Sequence, residues 1–210
     1  MSAPAGPRPA LLLVGPTGSG KSPLGDEIER RGLGGRRAVH FDFGARLRAI
    51  AAAPDGGGLS AAEVAAVRAS LASGALFEDR DLPLIVRIME RFIEASGLGP
   101  GGLIVLNGLP RHRGQAEGLA ALIAVERVVS LEAGAEVLRD RRRLDPGGDR
   151  AGRVDDSDES VRARLADYRA RTLPLLGHYR RRGVPVTVIT VTADMTAAGM
   201  YEILAREAAA

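Results

Sequence analysis

Apolar residues follow a regular rhythm along this chain. Short unbroken runs alternate with longer stretches in which they recur every three or four positions. The runs lie at 10–14, 38–43, Leu103–Asn107, 127–131 and 184–191. They are rich in Val, Ile and Leu, the pattern of strands buried on both faces. Helical spacing marks 19–31, where Leu24 and Ile28 lie one turn apart, and then about 59–73, 81–95, 114–122, 134–144, 158–182 and 194–207. This alternation predicts an α/β fold: a doubly wound sheet of five parallel strands with helices on both faces.

Two stretches depart from the rhythm. Residues 44–96 hold two or three helices between the second and third strands, with a glycine-rich hinge from Asp55 to Gly58. Residues 145–153 form a short loop of glycine and arginine between two helices. Both read as segments able to move over a site built by the sheet.

At 210 residues, 45% hydrophobic and 26% charged, the chain suits one domain with small insertions. The absence of cysteine excludes a disulfide scaffold, thiolate metal sites and cysteine nucleophiles. Three histidines, His40, His112 and His178, argue against a histidine-rich metal centre. No apolar run is long enough to span a bilayer, and residues 1–9 lack the pattern of a signal peptide. The expectation is a cytoplasmic, monomeric protein with no membrane partner. Arg141 to Arg143 and Arg180 to Arg182 are basic patches, but four Phe, three Tyr and no Trp offer little for base stacking, so no nucleic-acid partner is expected.

Charge becomes informative at one position. Of 29 basic residues only Lys21 is a lysine, and it sits in a glycine-rich turn where a compact ammonium fits a phosphate better than a guanidinium does. Residues Gly15 to Ser22, GPTGSGKS, satisfy G-x-x-x-x-G-K-[ST] directly after the first strand and at the start of a helix. In that context Gly15, Thr17, Gly18, Ser19 and Gly20 lend backbone N–H groups to the phosphates of a nucleoside triphosphate. Lys21 reaches the terminal phosphates, and the Ser22 hydroxyl is a ligand for Mg²⁺. A guanine-recognition motif of the N-K-x-D type is excluded, because the chain has no second lysine.

Further motifs resemble the adenylate kinase family of nucleoside monophosphate kinases along nearly the whole chain. HFDFGARLR from His40 to Arg48 is similar to the family's H-x-S-T-G-D-x-x-R. Asn107-Gly108-Leu109-Pro110-Arg111 with Gln115 and Ala116 resembles D-G-F-P-R-x-x-x-Q-A. Gly152 to Asp156, then Arg164, Leu165 and Tyr168, resemble G-R-x-D-D and R-L-x-x-Y, and Thr172 to Leu175 matches T-x-P-L. The resemblance implies a transfer of phosphoryl from Mg-ATP to a nucleoside monophosphate. Residues 44–96 would be the acceptor-binding insert and 145–153 a short lid. Lys21, Arg153 and Arg164 would act on the transferring group, with Asp155 and Asp156 steadying the arginines. Arg141 would lie near ATP. Phe43, Gly44, Arg48, Gly108, Arg111 and Gln115 would form the acceptor site, with Arg48 and Arg111 on its phosphate and Gln115 on its base.

Departures from the pattern bear on the acceptor and the metal. Phe43, preceded by Asp42, stands where the family has a small hydroxyl residue, and Ala45 replaces an acid, which leaves the choice between AMP, another base and a different small acceptor open. Asp42 would serve as a base if that acceptor carried a hydroxyl. Asn107 stands where the family has an acid. It is expected to help order Mg²⁺, directly or through water, by an oxygen without charge. A non-catalytic nucleotide-binding module is the remaining alternative.

Overall fold

The computed structural model describes residues 6–146, 148 and 158–209. Its strands are β1 (Arg8–Val14), β2 (Ala38–Asp42), β3 (Leu103–Asn107), β4 (Ile123–Glu132) and β5 (Val186–Thr190). They form one sheet in the order β2-β3-β1-β4-β5. Every pairing is parallel. The helices are α1 (Lys21–Arg31), α2 (Phe43–Ala52), α3 (Ala61–Ser73), α4 (Leu82–Ser96), α5 (Arg113–Gly118), α6 (Ala135–Leu144), α7 (Asp158–Asp167), α8 (Leu175–Arg181) and α9 (Ala197–Ala209). Among the described residues no helix is long and apolar enough to cross a membrane.

The central strand explains why both faces are covered. Successive side chains of β1 point to opposite sides. Ala10, Leu12 and Val14 join one core with α4 and α8 residues, while Leu11 and Leu13 join a second with α1 and α9 residues. α4 supplies the longest apolar stripe, Leu84, Ile85, Ile88, Met89 and Phe92, at the spacing that keeps one helical face inward. Pro83 sits in its first turn and Gly97, in the left-handed region, ends it.

The insert between β2 and β3 contains three helices. The first, α2, begins directly at the end of β2, because the Asp42 carboxylate accepts a hydrogen bond from Ala45 N–H and caps it. Asp55 likewise caps a short 3₁₀ turn at Gly56–Gly58, the expected hinge. α3 opens on a reciprocal cap between Ser60 and Glu63.

One expected helix, 158–182, is three pieces: α7, a π-helical turn at Tyr168–Thr172, and α8. Pro174 lacks the N–H needed to continue the ladder. The Thr172 hydroxyl also turns away to donate to the Arg111 carbonyl at 3.0 Å. β4 runs longer than 127–131 because Ile123 to Val125 pair with Arg8 to Ala10 of β1. Most of the expected loop at 145–153 lies outside the described residues.

The π-helical turn is tied to the insert. Two guanidinium nitrogens of Arg171 each donate to a Glu78 carboxylate oxygen at 2.7 Å. The Arg171 hydrogen bonds hold the Glu78 carboxyl below its usual range, against a smaller opposing effect of burial. A carboxylate favoured in the folded state stabilises above its unfolded pKa, and that stability disappears as pH falls through the folded value. Glu78→Gln is therefore expected to cost about 0.5–1 kcal/mol at pH 7. In urea unfolding the gap to wild type should close as the solution is taken below the ordinary glutamate range. A gap that stays constant with pH would rule out the ion pair as its source.

Candidate active site

The phosphate loop turns between β1 and α1 because its glycines adopt backbone that other residues resist. Gly20 caps α1 at φ +96°, and a Cβ there would approach Arg141 Nη2 to 2.9 Å and the Met200 methyl to 3.0 Å. The cap offers no side-chain acceptor and the first turn holds no acid. The positive end of α1 thus faces the cleft with no acid of its own in the first turn. Lys21 folds over its own loop, donating to the carbonyls of Gly15 at 2.7 Å and Pro16 at 2.9 Å.

Arg141 braces this loop from beneath. It is 3% exposed and donates to the carbonyls of Gly18 (3.3 Å), Thr192 (2.8 Å) and Met195 (2.7 Å). It borders the cleft beside the phosphate loop, with its guanidinium engaged on backbone carbonyls. Ser19 is turned inward and fully buried, and its N–H donates to Pro16 at 3.2 Å. The other expected loop residues line the cleft.

Three side chains meet at the ends of β2, β3 and the first turn of α1. The Ser22 hydroxyl donates to Asp42 Oδ2 at 2.7 Å. Asn107 Nδ2 donates to Ser22 Oγ at 3.0 Å and to Asp42 Oδ2 at 2.9 Å. Burial works against the charge of Asp42. The Ser22 hydroxyl, the Ala45 amide and the nearby His40 and Arg48 outweigh it and hold the carboxyl below its usual range. A hydroxyl oxygen and a charged carboxylate beside the phosphate loop are the hard donors Mg²⁺ prefers, and one carboxylate is enough when phosphates and water complete the shell. The set therefore fits the metal. Asn107, expected to offer an oxygen, instead presents its amide nitrogen to both other groups.

These residues open into a cleft of about 570 Å³, within the range of small-molecule sites. Arg48, Arg111 and Arg164 line it together with the loop, and Phe43, Leu47, Leu71 and Phe77 form its apolar wall. The Phe43 ring stacks on Phe41 at 6.0 Å between centroids and tilts against Phe77 at 5.8 Å. Gly108, at φ +80°, turns the chain after β3 so that Arg111 comes back over it and donates from Nε to the Gly108 carbonyl at 2.9 Å. Burial lowers the Arg111 pKa and the positive charge of Arg164 adds to this, while Asp42 and Asp167 oppose it. Cations pressed together in this way favour an incoming anion.

Gln115 also lines the cleft but is 2% exposed and engaged at both ends. Its Oε1 accepts from Arg111 N–H at 2.7 Å and its Nε2 donates to the Phe77 carbonyl at 2.9 Å. Expected as a contact to the acceptor base, it has one N–H and one lone pair left. Arg153, Asp155 and Asp156 lie outside the described residues. Sequence reasoning missed the meeting of Asp42 with Ser22 and Asn107, the tie from Thr172 to Arg111 and the lining contributed by residues 70–77. The signal for Asp42 was its place at the end of β2, level with Asn107.

Known proteins were compared with this site and fold. Residues 14–162 match a family model described as AAA domain. The adenylate kinase of Xanthomonas oryzae pv. oryzae (strain MAFF 311018) is 33% identical over 178 residues, covering 82% of this chain and 86% of that protein. The adenylate kinase of Synechococcus sp. (strain WH7803) is 32% identical over 184 residues, 85% of this chain and 88% of its own length. A solved sugar kinase from Janibacter sp. HTCC2649 aligns at TM-score 0.48 and 16% identity over 96% of this chain and 92% of that one. The phosphate loop, the parallel sheet and the curated relatives define an ATP-dependent phosphotransferase of the P-loop class. The chain belongs to the adenylate kinase family.

Gln115→Leu tests the internal role of that amide. Loss of its bonds leaves Arg111 N–H and the Phe77 carbonyl unpaired, at about 1–3 kcal/mol each. Urea unfolding should register that loss while ATP affinity stays within about threefold of wild type, since the variant leaves the donor loop untouched. Unchanged stability would show that the amide is not holding the loop.

Proposed function

We propose that this protein is a nucleoside monophosphate kinase that transfers the γ-phosphoryl group of Mg-ATP to AMP. The observation that carries the reading is a cleft lined jointly by the phosphate loop and by Arg48, Arg111 and Arg164. Its relatives named adenylate kinase support AMP as the acceptor, and the wall of Phe43, Leu47, Leu71 and Phe77 is suited to a flat base.

Lys21 and the N-terminus of α1 hold the donor phosphates. Arg48 and Arg111 hold the acceptor phosphate by guanidinium hydrogen bonds. An oxygen of the acceptor phosphate attacks the γ-phosphorus as the bond to the ADP leaving group breaks, so ADP is formed from both nucleotides. The acceptor is already ionised and no base is needed. Arg164, with Arg153 from the short 145–153 lid, neutralises the charge on the transferring group. Ser22 and Asp42 would hold Mg²⁺ here, and the ion would supply positive charge against the donor phosphates. The insert 44–96 closes over the acceptor and excludes water. Asp42 is poorly suited to act as a base for a hydroxyl acceptor, because both its oxygens are engaged by Ala45, Ser22 and Asn107.

³¹P NMR with Mg-ATP and each nucleoside monophosphate separately tests the reading. AMP should give ADP, and Lys21→Ala should abolish the conversion. Arg111→Ala should lower kcat/KM for AMP about 100-fold and leave the ATP Kd within about threefold. ATP binding without conversion of any monophosphate would overturn the assignment.

A further inference from the structure

The β3 position from which the resemblance expects a metal-site acid holds Asn107, and the nearest carboxylate belongs to the neighbouring strand. Asp42 and Asn107 are register partners in the β2–β3 pairing, so their side chains leave the sheet edge side by side. Asp42 Oδ2 lies 2.7 Å from the Ser22 hydroxyl, the group the phosphate loop offers to Mg²⁺. Asn107 donates one amide nitrogen to both oxygens. An amide nitrogen that donates cannot ligate a cation, but it can fix the direction of two oxygens that do.

We propose that the acidic ligand group of the magnesium site has moved from β3 to β2: Asp42 carries its charge, and Asn107 is a positioning residue that aims Asp42 and Ser22. The exchange works because the two side chains are level across one parallel pair, so the charge is displaced by only one strand. Asp42 also keeps its second oxygen on Ala45 N–H, which fixes its rotamer at the start of α2. This inference rests on Mg-ATP being the donor but not on the identity of the acceptor.

Isothermal titration calorimetry of ATP without acceptor, in EDTA and in saturating Mg²⁺, tests it. Asp42→Asn keeps the helix cap, since Asn caps as well as Asp, and removes only the charge. Wild type should bind ATP about tenfold or more tightly with Mg²⁺ than without. In Asp42→Asn that ratio should fall close to one, with metal-free ATP bound at least as tightly as by wild type because a repelling carboxylate is gone. The exchanged pair, Asp42→Asn with Asn107→Asp, should recover the ratio to within about threefold, which a merely structural role for Asp42 would not produce. Circular dichroism melts identify any variant that fails to fold, and the exchanged pair then carries the decision. A wild-type affinity indifferent to Mg²⁺, an Asp42→Asn ratio equal to wild type, or no recovery in the exchanged pair would each overturn the inference. If the ratios behave as expected and AMP is not phosphorylated, the acceptor assignment fails and this one stands.

Discussion

Parallel pairing brings the carboxyl ends of neighbouring strands to one edge of the sheet, and the rest of this site depends on that alignment. Leu13 of β1 and Asp42 of β2 are both register partners of Asn107 on β3, between them. The phosphate loop therefore springs from the central strand within reach of two polar residues on the two strands to one side of it. Such switch-point edges are where open α/β sheets bind ligands, because the loops diverge there and leave a crevice. A shift of one residue in either pairing would turn Asp42 or Asn107 to the opposite face.

Around the cleft arginines the governing effect is repulsion. Arg111 is held among buried groups with Arg164 acting on it as a second positive charge, an arrangement that opposes its own protonation. Asp42 and Asp167 relieve this only in part. A binding site for several phosphates must be built this way, with cationic groups fixed before the ligand arrives so that little rearrangement is needed at the moment of reaction.

Much of this architecture was readable in the chain itself. Leu103–Asn107 shows both its strand and its bounds through the glycines and proline that flank it, and GPTGSGKS declares its chemistry in eight residues. What escaped were features that local pattern does not encode. The break at Thr172 depends on the Arg111 carbonyl, 61 residues away in sequence. Gln115 looked like a surface contact for a base because its partners, Arg111 N–H and the Phe77 carbonyl, are backbone groups that no side-chain pattern advertises. Asp42 was read along its own segment, as part of the acceptor pocket, although its closest partners lie on α1 and β3.

The cleft lining around Phe77 and Arg111 is sewn together by contacts remote in sequence: Arg171 with Glu78, Thr172 with Arg111, and Gln115 with Phe77. The phosphate loop turns between adjacent elements, but it too is held from afar, by Arg141 on Gly18 and Asn107 on Ser22. Long loops must close before remote contacts are rewarded, so such contacts form late. During synthesis the phosphate loop emerges long before the segment that carries Thr172. No part of the cleft is therefore finished early: its phosphate loop waits for Arg141 and Asn107, and its far lining for Thr172, so the whole crevice is assembled only once the chain has closed on itself.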